Sequence, residues 1–231
     1  MSIPDWQWNE MQQVGTDYAN VAEMGAVYDQ RMAEFRDVEA ENREMLAMLD
    51  LPAEASVLEI GCGTGRFSRA AGHAGLSATA IDVSPASIEY VRQKALEEGL
   101  SRIETRHAGF LTMDFPPASF DAAVSGAALH HLPDAWKLVG LCNILRALKP
   151  GGQFILRDVV FTTAEGERPE DCFLRFINSV PTMQIEAARH VAREFSTFDW
   201  IMEGMLERAG FAIMSKDLAS ACSLVYHCRK R

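Results

Sequence analysis

The stretch Val57-Leu58-Glu59-Ile60-Gly61-Cys62-Gly63-Thr64-Gly65, answered downstream by Ala80-Ile81-Asp82, constrains this chain more than any other feature. An apolar run that stops at closely spaced glycines and resumes with helical spacing reads as strand, tight turn, helix. Glycine lets the backbone approach a ligand that a Cβ would hold off. A second apolar strand then ends in Asp82, seventeen residues after Gly65. A carboxylate so placed can accept both hydroxyls of a ribose. The two features together predict an α/β chain with a site for a nucleoside-containing ligand.

The spacing is G-x-G-x-G, through Gly61, Gly63 and Gly65, with Arg66 where a dinucleotide turn carries its third glycine. Glu59 stands two residues before the first glycine. A carboxylate there repels a pyrophosphate and attracts the ammonium and sulfonium of S-adenosylmethionine. S-adenosylmethionine is therefore the expected cofactor. A nicotinamide-dependent oxidoreductase and a ligand-free glycine turn are the alternatives at this point.

Charge and cysteine usage remove several classes. Acidic residues outnumber basic ones by 32 to 22, and no basic cluster rivals that excess, so neither nucleic acid nor an anionic membrane is an expected partner. The N-terminal residues lack the basic and apolar regions of a signal peptide, and no apolar run reaches spanning length. Cysteines 62, 142, 172, 222 and 228 form no C-x-x-C, so neither a disulfide framework nor structural zinc is indicated, and a cytoplasmic setting is expected.

Strand patterns at about 56–60, 77–82, 101–106, 119–125 and 153–160 alternate with helical ones, and two more strands follow at about 211–217 and 222–229. Helices are expected over 31–50, after Ser84-Pro85, from Pro133-Asp134 to a stop at Lys149-Pro150-Gly151-Gly152, and from Ser196-Thr197 to Gly210. Repeated βα units predict a doubly wound sheet of seven strands, mostly parallel, with an antiparallel hairpin at its C-terminal edge. The single domain (1–231) divides into an N-terminal arm and helix (1–50), a cofactor-binding core (51–161), a cap insertion (162–196), and a final helix with edge strands (197–231). The insertion is read as polar at first and helical after that, and with the aromatic arm it forms a lid above the C-terminal strand ends.

The chain resembles the class I S-adenosylmethionine-dependent methyltransferases with a Rossmann-like fold, of the small-molecule type found in ubiquinone and menaquinone pathways. The likeness covers about residues 35–160. It rests on the glycine segment, on Ile81-Asp82-Val83-Ser84, Ser119-Phe120-Asp121, Leu129-His130-His131-Leu132-Pro133-Asp134 and Leu145-Arg146-Ala147-Leu148-Lys149-Pro150-Gly151-Gly152. It implies that Gly61, Cys62, Gly63 and Gly65 line the methionine end and that Glu59 holds its amino group. Asp82 takes the ribose, Val83 presses on the adenine, Ala108, Gly109 and Phe110 edge the adenine, and Ser125 and Gly126 pass beneath the sulfonium. The family often carries an acidic residue where this chain has Gly109, so a backbone carbonyl or another side chain must receive the adenine amino group here.

Methyl transfer from a sulfonium is an in-line displacement, so alignment contributes more (about 7–11 kcal/mol) than a general base (roughly 3–5 kcal/mol). If a base acts, His130 is the first choice and His131 the second, because both follow the fourth strand and imidazole titrates near neutrality. Some quinone-pathway relatives hold a divalent metal through acidic residues in this segment. Ala127, His130 and His131 offer no carboxylate, so no metal site and no magnesium dependence are expected. Tyr28 and Arg31 are candidates for the cofactor carboxylate. Phe173, Phe176, Met183, His190 and Phe195 suit an aromatic or aliphatic small-molecule acceptor, and Arg175, Arg189 and Arg193 an acidic group on it. A catalytically silent cofactor-binding module is the remaining alternative; it predicts cofactor affinity without turnover.

Overall fold

Buried residues run almost unbroken through Ser56–Ile60 (β1), Ser77–Asp82 (β2) and Phe120–Gly126 (β4), because each strand is covered on both faces. The computed structural model describes residues 3–12, 36–220 and 223–231, together with positions 25, 29, 30 and 33. Ile103–His107 (β3) and Leu148–Phe161 (β5) add to the parallel set, while Phe211–Ser220 (β7) and Ser223–Lys230 (β8) pair antiparallel. The sheet order is β3-β2-β1-β4-β5-β8-β7.

Alternation along β1 sends neighbouring side chains to opposite layers. Val57 packs with Met45 and Leu49 of Val38–Leu49 (α1) and with Phe67 and Ala71 of Arg66–His73 (α2). Leu58 and Ile60 pack on the opposite face with Leu141 and Ile144 of Asp134–Ala147 (α4) and Met202 and Leu206 of Asp199–Ala209 (α7). Pro85–Glu97 (α3) starts where expected: the Ser84 hydroxyl accepts from the Ser87 amide at 3.2 Å, and Pro85 occupies the first turn. The chain leaves β1 toward β2 and β3 but returns to place β4 on the opposite side of β1. That reversal opens a crevice at the C-terminal strand ends, the place where open α/β sheets bind ligands. Gly61, Asp82 and Gly126 all stand at that edge.

Several boundaries differ from expectation. The helical pattern expected over 31–50 is interrupted at Arg36-Asp37, and the helix Val38–Leu49 starts there because Asp37 caps it, accepting from the Ala40 amide at 2.9 Å. Lys149-Pro150-Gly151-Gly152 does not merely stop a helix; it is absorbed into β5, with Leu148 paired to Phe120 and the register slipping before Ala122. An eighth strand, Thr197–Phe198 (β6), pairs with the outer end of β5, so α7 starts at Asp199 rather than near Ser196. The first half of the insertion is helical too, over Pro169–Asn178 (α5), before Gln184–Arg193 (α6).

The insertion is anchored by its aromatics. Phe161, Cys172, Phe173, Phe176, Val191 and Phe198 form one cluster. The amide of Phe195 donates to the His130 carbonyl at 2.9 Å. Lys137, fully buried, donates to the Asp134 carboxylate and the Phe195 carbonyl. The N-terminal arm meets the same region, with Trp6 stacked on Trp136 and Trp8 edge-on to Phe195.

Candidate active site

The glycine turn is built by crowding as much as by flexibility. Gly61, Gly63 and Gly65 all adopt positive φ, of 71°, 52° and 68°. A Cβ on Gly61 would stand 2.3 Å from that of Ala128, and one on Gly65 2.6 Å from Val91 Cγ2. The amides of Gly61 and Cys62 donate to the Ile81 carbonyl at 2.9 and 3.0 Å, that of Gly65 to Cys62, and that of Gly63 to an Asp82 carboxylate oxygen at 2.8 Å. The turn therefore spends these donors on the protein. A phosphate needs such N–H groups aimed outward; a positively charged ligand does not.

Two carboxylates converge behind this turn. Asp82 accepts from Gly63 through one oxygen and from the Ser84 amide through the other, at 2.8 Å each. Glu59 accepts from the amide and hydroxyl of Ser68 at the start of α2. Both are buried. Burial pushes Glu59 up to about 7; its bonds to Ser68 lower it, and the charge of Asp82 adds to the rise. Burial also raises Asp82, against the pull of its amide donors. Cys62 is buried beside them, and desolvation together with both carboxylates raises its thiol pKa well above the ordinary value. It is an inert packing group.

Where a side chain at Gly109 would point, the structure has Glu10. An ideal Cβ on Gly109 would lie 2.5 Å from Glu10 Oε2 and 2.7 Å from Val83 Cγ1. The other Glu10 oxygen accepts from the amides of Leu111 and Thr112 and from the Thr112 hydroxyl, at 2.7 to 2.9 Å. Glu10 is only 3% exposed, and burial raises its pKa despite those bonds. Nothing in the composition of the N-terminal segment marked this residue. The signal was indirect: a glycine where the resemblance implies an acid leaves room for one from elsewhere.

The remaining expected site residues fall at the same edge. Phe110 is buried against the core, and Ala108 packs at its border. Ser125 is buried and donates to the Ile60 carbonyl at 3.1 Å, while a Cβ on Gly126 would meet nothing within 4 Å. Tyr28 and Arg31 lie outside the described residues; between them, Asp29 accepts from the Thr64 hydroxyl at 2.9 Å, so this part of the arm reaches the glycine turn. Arg175 is committed to Glu167 and to the Thr162 carbonyl.

His130 and His131 form a 3-10 turn just past β4. His130 is buried, its Nδ1 2.5 Å from Asp158 Oδ1 on β5 and its Nε2 3.1 Å from Glu194 Oε2 at the end of α6. Burial opposes its charge, but the two carboxylates outweigh this and raise its pKa to about 9. His131 lies beside it, ring centroids 4.3 Å apart; burial and the neighbouring charge lower its pKa to about 4.

Residues 57–152 match the family model described as a methyltransferase domain. A demethylmenaquinone methyltransferase of Listeria monocytogenes is 25% identical, over 75% of this chain and 72% of its own. A ubiquinone biosynthesis O-methyltransferase of Xanthomonas axonopodis pv. citri is 35% identical over a shorter match, 49% of this chain and 46% of its own. Among solved structures, the [4+2]-cyclase SpnF superposes with a TM-score of 0.67 at 18% identity, covering 83% of this chain and 80% of that one. That last likeness is one of fold.

Proposed function

The chain belongs to the class I S-adenosylmethionine-dependent methyltransferases, and we propose that it methylates a small molecule held between the strand ends and the insertion. The cofactor supplies an activated methyl group on a positively charged sulfur. The chain's part is to bind, orient and exclude water. The observation that carries the cofactor placement is the pair of buried carboxylates, Glu59 and Asp82, behind a turn whose amides face inward. Glu59 takes the ammonium and Asp82 the ribose. Val83, Ala108, Gly109 and Phe110 frame the adenine, with Gly61, Cys62, Gly63, Gly65, Ser125 and Gly126 around the methionine and sulfur. Glu10 receives the adenine amino group in place of a side chain at Gly109.

On this reading the acceptor lies beside the aromatic cluster of the insertion and the arm aromatics Trp6 and Trp8. A hydrophobic small molecule suits these walls; the demethylmenaquinone enzyme named above acts on a quinone, which is one such class. His130 and His131 are the proposed proton-handling pair. Among the described residues, no helix is long and apolar enough to cross a membrane, and four cysteines are free, in keeping with a cytoplasmic enzyme. The fold hosts other chemistry, as the cyclase shows, so turnover must be measured and not inferred from shape.

Calorimetry with S-adenosylmethionine and S-adenosylhomocysteine tests the reading. Binding of both is expected, and a folded wild-type protein that binds neither overturns it. Cofactor binding without methylation across an acceptor panel would favour the silent module instead.

Two predictions arise from the same site. Ligand binding is expected to release a proton near pH 7 and to weaken by up to about tenfold per pH unit below it. A cationic ligand favours ionised Glu59, and in the free protein that group is protonated below about 7. Calorimetry in two buffers of different ionisation enthalpy measures the proton; none released, or one taken up, removes Glu59 from the ammonium site. Replacing Glu10 by alanine is expected to weaken cofactor binding by roughly 1–2 kcal/mol through the lost hydrogen bond. S-inosylmethionine, which lacks the adenine amino group, should bind wild type and variant alike; discrimination unchanged in Glu10→Ala would dismiss the contact.

A further inference from the structure

The geometry points to a divalent transition-metal site made by His130 Nε2, His190 Nδ1 and Glu194, joining the insertion to the end of β4. The three ligand atoms lie within 4.8 Å of one another. His190 Nδ1 is 2.5 Å and His130 Nε2 3.1 Å from the same oxygen, Glu194 Oε2. That oxygen is buried in contact with both rings.

The outer nitrogen of each imidazole is engaged separately. His130 Nδ1 meets Asp158 at 2.5 Å, and His190 Nε2 meets the Ser196 hydroxyl at 2.7 Å. A cation bound between the inner nitrogens and Glu194 displaces any proton they share with that carboxylate, while the outer nitrogens keep theirs. An oxygen partner on the far nitrogen of each histidine is the arrangement that orients metal-bound imidazole. Asp158 is itself oriented by the His130 amide, which donates to its second oxygen at 3.0 Å.

Two imidazoles and one carboxylate suit Zn²⁺, Co²⁺ or a similar borderline cation, and not Mg²⁺ or Ca²⁺. Metal–ligand bonds of about 2.0–2.1 Å set tetrahedral ligand atoms about 3.3 Å apart, so Glu194 must move outward by several tenths of an ångström. It caps the C-terminus of α6, and its side chain is 32% exposed. Three protein ligands leave a coordination position open. On the methyl-transfer reading, that position takes an oxygen of the acceptor. The segment 127–131 showed no such site in sequence because two of the three ligands arrive from the insertion, about sixty residues later.

Metal-stripped protein titrated with Co²⁺, without cofactor, tests the site through visible d–d absorption and calorimetry. One equivalent with an N/O-coordination band is expected, and excess Mg²⁺ should leave the band in place. Both His190→Ala and Glu194→Gln should weaken Co²⁺ binding at least tenfold, whereas His73→Ala, on the far surface, should not. Glu194→Gln keeps side-chain size, so it decides the matter if His190→Ala loosens the insertion in thermal melts. No band in the wild type, displacement by Mg²⁺, or equal Co²⁺ affinity in Glu194→Gln overturns the site. Cofactor calorimetry on the same metal-free sample reports on the methyltransferase reading independently.

Discussion

Asp82→Ala is expected to weaken S-adenosylmethionine binding by about 1–3 kcal/mol, roughly five- to 150-fold. The carboxylate has two tasks. On the proposed reading it accepts ribose hydroxyls, and it already accepts the Gly63 and Ser84 amides at 2.8 Å. Alanine removes the ligand contact and strands both amides in a buried place, which distorts the glycine turn as well. Asp82→Asn keeps one acceptor oxygen and should fall between wild type and alanine. Calorimetry gives the affinity and thermal melts the stability. Wild-type affinity in a folded Asp82→Ala would take Asp82 out of the site, and with it the main argument for where the adenosine lies.

A methyl group at Gly61 should do still more damage. Gly61→Ala must hold an L-residue at φ 71° and also separate two Cβ atoms standing 2.3 Å apart. The left-handed backbone costs about 1–2 kcal/mol, and the overlap with Ala128 about 1–3 kcal/mol. The combined loss, about 2–5 kcal/mol, corresponds to a fall in melting temperature of roughly 5–15 °C for a chain of this size. Cofactor affinity should collapse with it, since relief of the overlap moves the turn or the start of the His130 segment. Gly75→Ala is the matched control: its φ is also positive, at 83°, but a Cβ there meets nothing within 4 Å. It should cost only the backbone part, about 1–2 kcal/mol. Equal melting shifts in the two variants would mean that crowding at Gly61 contributes nothing.

These expectations depend on residues whose positions were legible in different degrees. Glu59, the glycine turn and Asp82 are close in sequence and belong to one βαβ unit, so spacing alone places them together. The buried strands β1, β2 and β4 were legible for a related reason, since a strand covered on both faces shows an apolar run whatever lies elsewhere. Ends were harder. The β5 start at Leu148 depends on pairing with Phe120, and the two-residue β6 exists only because β5 offers it an edge. Local sequence carries no record of either partner.

Glu10 and the His130–His190–Glu194 cluster show the same limit at the site. Glu10 reaches Gly109 from about a hundred residues away, through an arm whose own sequence reads as irregular. His190 and Glu194 are spaced as one face of α6, but only the folding of the insertion against β4 brings them to His130. The expectation that this region lacks carboxylates considered the segment in isolation. Asp158 and Glu194 both approach from other elements.

What the amino-acid order determined by itself was the scaffold of the proposed cofactor site: an α/β sheet, a tight glycine turn, and acids at the tips of two neighbouring strands. Those features are set by backbone conformation, side-chain alternation and short-range spacing, all of which are local. What only the tertiary structure decided was the proposed acceptor side, where the arm, the insertion and the end of β4 meet. There the electrostatic environment of His130 comes from Asp158 and Glu194, groups distant along the chain. Burial then makes each of those contacts count far more than it would in water.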